Sequence, residues 1–72
     1  MIEIDARGLS CPVPVVKTQK ALDQNPGERL AVLVESEVSR ENVSRLARSR
    51  GYSVKVEPVP DGYRLELTPA RS

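Results

Sequence analysis

The sequence lacks histidine, tryptophan and phenylalanine, and it has only one cysteine and two tyrosines. One cysteine excludes a disulfide within the chain, and the lack of histidine excludes Cys/His metal clusters and Cys–His or Ser–His catalytic pairs. With so few aromatic residues, the core must be aliphatic. If this chain carries out any chemistry, it therefore depends on the thiol of Cys11.

The sequence also has no charge of one dominant sign. Its 11 basic and 10 acidic residues give a net charge of +1, whereas domains that bind nucleic acid are usually strongly basic. No apolar stretch approaches the length of a membrane span, and the first five residues lack the basic and apolar regions of a signal peptide. We expect a cytoplasmic protein with no membrane insertion and no nucleic-acid partner.

The turn signals divide the 72 residues into six short elements in the order strand, helix, strand, helix, strand, strand. Three strands alternate apolar and polar residues, and the continuous apolar run Leu30–Val34 is typical of a strand inside a sheet. Right-handed crossovers place both helices on the same side of the sheet.

These patterns predict one domain over residues 1–72 in the α/β (α+β) class. Its expected architecture is a two-layer sandwich with βαβαββ order, a four-stranded mixed sheet and both helices on one face. The last strand must run antiparallel to the first three. It can lie outside the third strand or between the second and third, since either place permits a hairpin.

Each helix has sequence signals for its limits or its buried side. The first is predicted over residues 12–23, with Val15, Thr18 and Leu22 as its buried stripe.

In the second helix, Ser39 is predicted as the N-cap, with Val38 and Val43 forming a hydrophobic staple across it. Gly51 is predicted just past the helix end.

The segment that connects the first strand to the first helix contains the cysteine between a glycine turn and two prolines. Pro12 and Pro14 suit a first helical turn, which places Cys11 at the cap position. Free amides and the positive end of the helix dipole there favour thiolate, and Arg7 and Lys17 are candidate sources of further positive charge. We therefore interpret Cys11 as reactive, although a free cysteine is more often a buried apolar residue.

Two residues upstream of the cysteine have structural interpretations. Gly8 is predicted to permit a positive φ in a tight turn, and Asp5 to accept hydrogen bonds from loop amides. The two prolines restrict the direction in which the sulfur points.

This segment resembles the CPxP signature of the TusA/SirA family of small sulfur carriers. The matching residues are Asp5, Gly8, Leu9, Cys11, Pro12 and Pro14. The resemblance covers nearly the whole chain and includes Glu41, Asn42 and Val43, which are similar to a segment of YedF-type members. It implies a fourth strand inserted into a mixed sheet and a persulfide carried on Cys11.

The resemblance also implies partners. The donor would be a cysteine desulfurase or a rhodanese-like protein, and the acceptor another protein in a sulfur relay, with no cofactor. Members act in tRNA thiolation, thiosulfate uptake or selenium metabolism. Val13 stands where the tRNA-thiolation carriers have an acidic residue. The chain is thus expected to be a sulfurtransferase-type carrier rather than a self-sufficient enzyme.

Two other interpretations remain open at this point. In the first, the domain only docks a protein or regulates it, and Cys11 is incidental. In the second, the chain binds nucleic acid through Lys17, Lys20, Arg40, Arg45, Arg48 and Arg50. The arginines of the second helix are also candidates for docking an acidic patch of a donor protein.

Overall fold

The computed structural model describes residues 2–8 and 13–70. Six elements follow one another in the predicted order. They are β1 (Ile2–Asp5), α1 (Val13–Gln24), β2 (Leu30–Val34), α2 (Glu37–Ser49), β3 (Tyr52–Val59) and β4 (Gly62–Pro69). The βαβαββ prediction is confirmed. Neither helix is long and apolar enough to cross a membrane in this part of the chain.

The four strands form one mixed sheet in the order β1-β2-β4-β3. β1 pairs parallel with β2, and β4 pairs antiparallel with both β2 and β3. The last strand is therefore inserted, as the family resemblance implied. Leu65 and Leu67 of β4 are fully buried, as expected for an interior strand, while β3 carries Pro58, which is tolerated at a sheet edge.

The core lies between the sheet and the two helices and is aliphatic, as predicted. On β2, Leu30 and Val32 pair with Leu67 and Leu65 of β4. The helices cover this layer with the buried side chains of Leu22, Val43 and Ala47. Burying side chains of this size stabilises the fold by about 1.5–3 kcal/mol each.

Helix α1 buries a stripe that differs from the predicted one only at its first position. Thr18 and Leu22 are buried as expected, but Val15 is only half-buried, and Pro14 takes its place in the stripe. Positions 14, 18 and 22 are four residues apart, which keeps them on one helix face. The predicted start at Pro12 lies outside the described residues.

Helix α2 begins earlier than predicted, and the predicted Ser39 cap is wrong. The N-cap is Ser36, whose Oγ accepts a hydrogen bond from the Ser39 amide at 3.1 Å. Either serine suits a cap by type, but it is the Ser36 hydroxyl that accepts an amide of the first turn, and Glu37 places negative charge there. The predicted staple is also absent, since Val38 is 59% exposed.

The end of α2 follows the prediction. Gly51 comes just after the C-cap residue, adopts a φ of 81° and donates its amide hydrogen to the Arg48 carbonyl at 3.0 Å. A left-handed glycine at this position satisfies a carbonyl that the helix leaves without a partner.

Candidate functional site

The predicted site residues belong to the loop between β1 and α1. Asp5 ends β1, Arg7 and Gly8 follow it, and Pro14 and Lys17 lie in the first part of α1. Leu9, Cys11 and Pro12 lie outside the described residues. The structure therefore shows how the two ends of this loop are held.

Arg7 and Asp5 form a two-pronged ion pair at the start of the loop. Nε of Arg7 donates to Oδ1 of Asp5 at 2.9 Å, and Nη2 donates to Oδ2 at 2.9 Å. The backbone amide of Arg7 also donates to Oδ1, at 3.1 Å. Asp5 thus accepts a loop amide, as expected, and it fixes the arginine side chain as well.

Arg7 also reaches across to the turn between β3 and β4. Its Nη1 lies 3.3 Å from Oδ2 of Asp61. The cysteine loop is thereby tied to a second loop at the same end of the sheet. Because two carboxylates surround this guanidinium, we infer that Arg7 organises the loop rather than supplying a free positive charge to a thiolate.

The ion pair changes the acidity of both partners. Hydrogen bonds from the Arg7 side chain and amide lower the pKa of Asp5 from 3.8 to about 2, and the nearby charge of Lys17 contributes to this shift. The hydrogen bond with Asp5 raises the pKa of Arg7. Asp5 is therefore ionised throughout the physiological range.

Arg7→Gln is expected to raise the pKa of Asp5 from about 2 toward its ordinary value of 3.8, because the main hydrogen-bond donor is lost. The stability that the pair provides is present above pH 3.8 and is lost as the pH falls through about 2, since the folded-state pKa is the lower one. NMR titration of the Asp5 carboxyl carbon measures the shift. Arg29→Gln is the control, since Arg29 pairs with Glu66 instead. An unchanged Asp5 pKa in Arg7→Gln would contradict the pairing.

Gly8 has the positive φ that was predicted for it. Its φ is 78°, and an added Cβ would meet Oε1 of Glu35 at 3.9 Å, an ordinary contact. The requirement for glycine here therefore comes from the backbone conformation and not from lack of space.

Gly8→Ala is expected to lower the free energy of unfolding by about 1–2 kcal/mol, the cost of a left-handed residue that carries a Cβ. Urea denaturation of the two proteins measures the difference. No loss of stability would show that the loop escapes the strain by changing its conformation.

The first turns of α1 have one side buried in the core and the other side exposed to solvent. Pro14 is fully buried, and its carbonyl accepts a hydrogen bond from Oγ1 of the buried Thr18 at 2.9 Å. On the outer side, Val13 and Val16 are 42% and 47% exposed. Lys17 is exposed beside them and lines a groove of about 400 Å³ between α1 and the edge strand β1.

The basic residues of the nucleic-acid interpretation do not line one surface pocket. Lys17 and Lys20 line the groove beside β1, whereas Arg40, Arg45 and Arg48 line a pocket beside β3. Arg50 forms an ion pair with Asp23 at 2.6 Å and links the ends of the two helices.

Sequence reasoning missed Asp61 and Ser44. Asp61 lies in the turn between β3 and β4, and its link to Arg7 spans 54 positions of the chain. Ser44 lies buried in α2, and nothing in the helical pattern distinguishes it from a solvated serine.

Comparison with known proteins agrees with this geometry. Residues 2–68 match the model of the family described as sulfurtransferase TusA. A candidate sulfur carrier protein of Methanocaldococcus jannaschii is 46% identical over 55 residues, which cover 75% of this chain and 73% of the relative. A candidate sulfur carrier protein of Thermotoga maritima is 38% identical over 52 residues, covering 71% of this chain and 66% of the relative.

A solved structure shares the whole architecture. The crystal structure of a SirA-like protein from Desulfitobacterium hafniense superposes with a TM-score of 0.88 at 34% identity, covering 94% of this chain and 96% of the other. Sequence and structure thus agree over nearly all described residues, which confirms the resemblance seen in the sequence. The chain belongs to the TusA sulfurtransferase family.

Proposed function

We propose that this protein is a sulfur carrier that accepts sulfane sulfur on Cys11 as a persulfide and passes it to an acceptor protein. The observation that carries the proposal is the position of the single cysteine. Cys11 belongs to the Cys-Pro-Val-Pro motif of a chain that matches the TusA family over residues 2–68. No second thiol is available in the chain to take over its role.

The transfer proceeds by two exchanges of the same type. The Cys11 thiolate attacks the outer sulfur of a donor persulfide, so that a new S–S bond forms and the donor's S–S bond breaks, with the donor leaving as a thiolate. An acceptor thiolate then attacks the outer sulfur on Cys11 and displaces the Cys11 thiolate. The sulfane sulfur keeps its oxidation state through both steps, and no cofactor is required.

Three features of the described residues support this proposal. Helix α1 begins at Val13, two residues after Cys11, and has no acidic residue in its first turn to neutralise the positive end of its dipole. Pro14, which is buried, fixes the first turn of the helix in the core. The link from Arg7 to Asp5 and Asp61 holds the other end of the loop. A loop held at both ends loses less conformational freedom when a partner docks.

The partners proposed are a donor, either a cysteine desulfurase or a rhodanese-like protein, and a downstream acceptor protein. Val13, within the motif, and Val16, three residues further on, are exposed and offer apolar contact area, which suits a transient protein interface. We further propose that the relay operates in the cytoplasm, where cysteines stay reduced.

The test is an intact-mass measurement. Purified protein is incubated with a cysteine desulfurase and cysteine, or separately with a rhodanese and thiosulfate, and its mass is recorded with and without reductant. We expect a gain of about 32 Da, one sulfur atom, that a reductant removes. Protein whose thiol has been blocked with iodoacetamide is the control. A thiol that reacts with iodoacetamide but gains no sulfur from either donor would support the docking-module interpretation instead.

A further inference from the structure

A second polar site lies between α2 and the edge strand β3. It is a surface pocket of about 240 Å³ lined by Arg40, Arg45 and Arg48, together with Glu41, Ser44 and Val56. None of these residues belongs to the cysteine motif. The proposed sulfur transfer therefore leaves this pocket without a role.

The lining carries an excess of positive charge. Three arginines line the pocket, against the single acidic residue Glu41. Arg40 is partly committed, because it lies 3.4 Å from Glu37 and 5.2 Å above the centre of the Tyr63 ring. The side chains of Arg45 and Arg48 have no hydrogen bond or ion pair with any residue in 2–8 or 13–70.

Two buried polar atoms of the lining have no partner among the described residues. Ser44 is only 4% exposed, and its Oγ makes no hydrogen bond. Nε of Arg40 is also buried without an acceptor. An unsatisfied buried donor costs about 1–3 kcal/mol, so buried polar atoms in native proteins are nearly always paired.

The unpaired groups have one property in common. A guanidinium can only donate hydrogen bonds, and a serine hydroxyl can donate one as well. A ligand that pairs with these groups offers acceptors in several directions and carries negative charge. The oxygens of a small oxyanion meet both requirements, and charge-assisted bonds from arginine are about twice as strong as neutral ones.

We propose that this pocket binds a tetrahedral oxyanion of the sulfate, phosphate and thiosulfate class. A small ion fits the observations better than an acidic protein segment, because the pocket is only about 240 Å³ and two of its lining residues, Ser44 and Arg40, carry buried polar atoms without a partner among the described residues. The anion would lie between the guanidinium groups of Arg45 and Arg48. Glu41 opposes it, which keeps the affinity moderate.

The first test is an NMR titration of ¹⁵N-labelled protein with sodium sulfate, against sodium chloride at equal ionic strength. We expect saturable amide shifts confined to residues 40–48 and to Val56 with sulfate only. Arg48→Gln should weaken sulfate binding about tenfold, the loss of one charge-assisted contact. The matched control is Lys55→Gln, which removes the same charge from an exposed side chain on the opposite face of β3 and should leave the affinity unchanged.

Ser44→Ala separates anion binding from a purely structural role. Without sulfate, its unfolding midpoint should equal or exceed that of the wild type, because an unpaired buried hydroxyl is removed. With sulfate, the rise in midpoint should be smaller than in the wild type. Parallel titrations with phosphate and thiosulfate then show which member of the class binds most tightly.

The proposal is overturned if sulfate and chloride act alike, or if Lys55→Gln weakens binding as much as Arg48→Gln. It does not depend on the sulfur-carrier function. Cys11→Ser should bind sulfate with unchanged affinity, so failure of the pocket and failure of the persulfide chemistry give different results.

Discussion

Cys11→Ser is expected to lose the whole reducible gain of about 32 Da with every sulfur donor, because a serine hydroxyl is not ionised near pH 7 and does not attack a persulfide. The chain has no other thiol to replace it. We expect the unfolding free energy to change by no more than about 0.5 kcal/mol, because the role proposed for the thiol is chemical and does not involve packing. Intact-mass spectrometry and urea denaturation of the same samples measure both quantities.

Ser10→Ala is the matched control for this loss. It changes the neighbouring residue of the same loop and leaves the thiol in place, so it should keep the full sulfur gain. A sulfur gain that persists in Cys11→Ser would contradict the persulfide assignment. Loss of the gain together with a large loss of stability would instead assign Cys11 to the core, as is usual for a free cysteine.

The order of the elements could be predicted because each element has its own local signal. Alternating residues identify β1, β3 and β4, and the unbroken run Leu30–Val34 identifies an interior strand. The place of β4 could not be predicted from these patterns. A hairpin with β3 satisfies the local signals on either side, and only the packing of Leu65 and Leu67 into the core decides between them.

The start of α2 shows a different limit of prediction from sequence. Ser36 and Ser39 are three residues apart, and both are good caps by residue type. The choice between them depends on which serine can stay buried. Ser39 is 4% exposed in the first turn, where its amide binds Ser36. Burial of a polar residue comes from tertiary packing, which residue type does not reveal.

In the candidate site, too, some contacts between residues close in sequence could be predicted, and contacts between distant residues could not. The hydrogen bond from the Arg7 amide to Asp5 joins residues two positions apart, and the positive φ of Gly8 is a property of one residue, so local reasoning predicted both. It did not predict that the Arg7 side chain also pairs with Asp5. The partner Asp61 is brought near by the β3–β4 hairpin. In the arginine pocket, the charges were visible in the sequence, but the unpaired Ser44 hydroxyl was not.

Gly62→Ala is expected to cost about 3 kcal/mol or more of unfolding free energy, the largest stability effect we expect from a single added methyl group. An added Cβ would overlap the carbonyl oxygen of Val34 and lie 2.8 Å from Cα of Glu35. Both are backbone atoms of the segment that leaves β2, so no side-chain rotation can relieve the contact. The φ of 145° adds strain for any residue with a Cβ.

Gly51→Ala is the matched control for Gly62→Ala, since its φ is 81° but no atom lies within 4 Å of the added Cβ. It should cost only the left-handed strain, about 1–2 kcal/mol. Urea denaturation of both variants isolates the steric part as the difference, and equal losses would show that the hairpin moves away without cost. The close approach at Gly62 also sets the position of the adjacent Asp61, which binds Arg7. Gly62→Ala should therefore also disturb the ion pair between Asp61 and Arg7, a second readout by NMR of the Arg7 guanidinium that Gly51→Ala should leave unchanged.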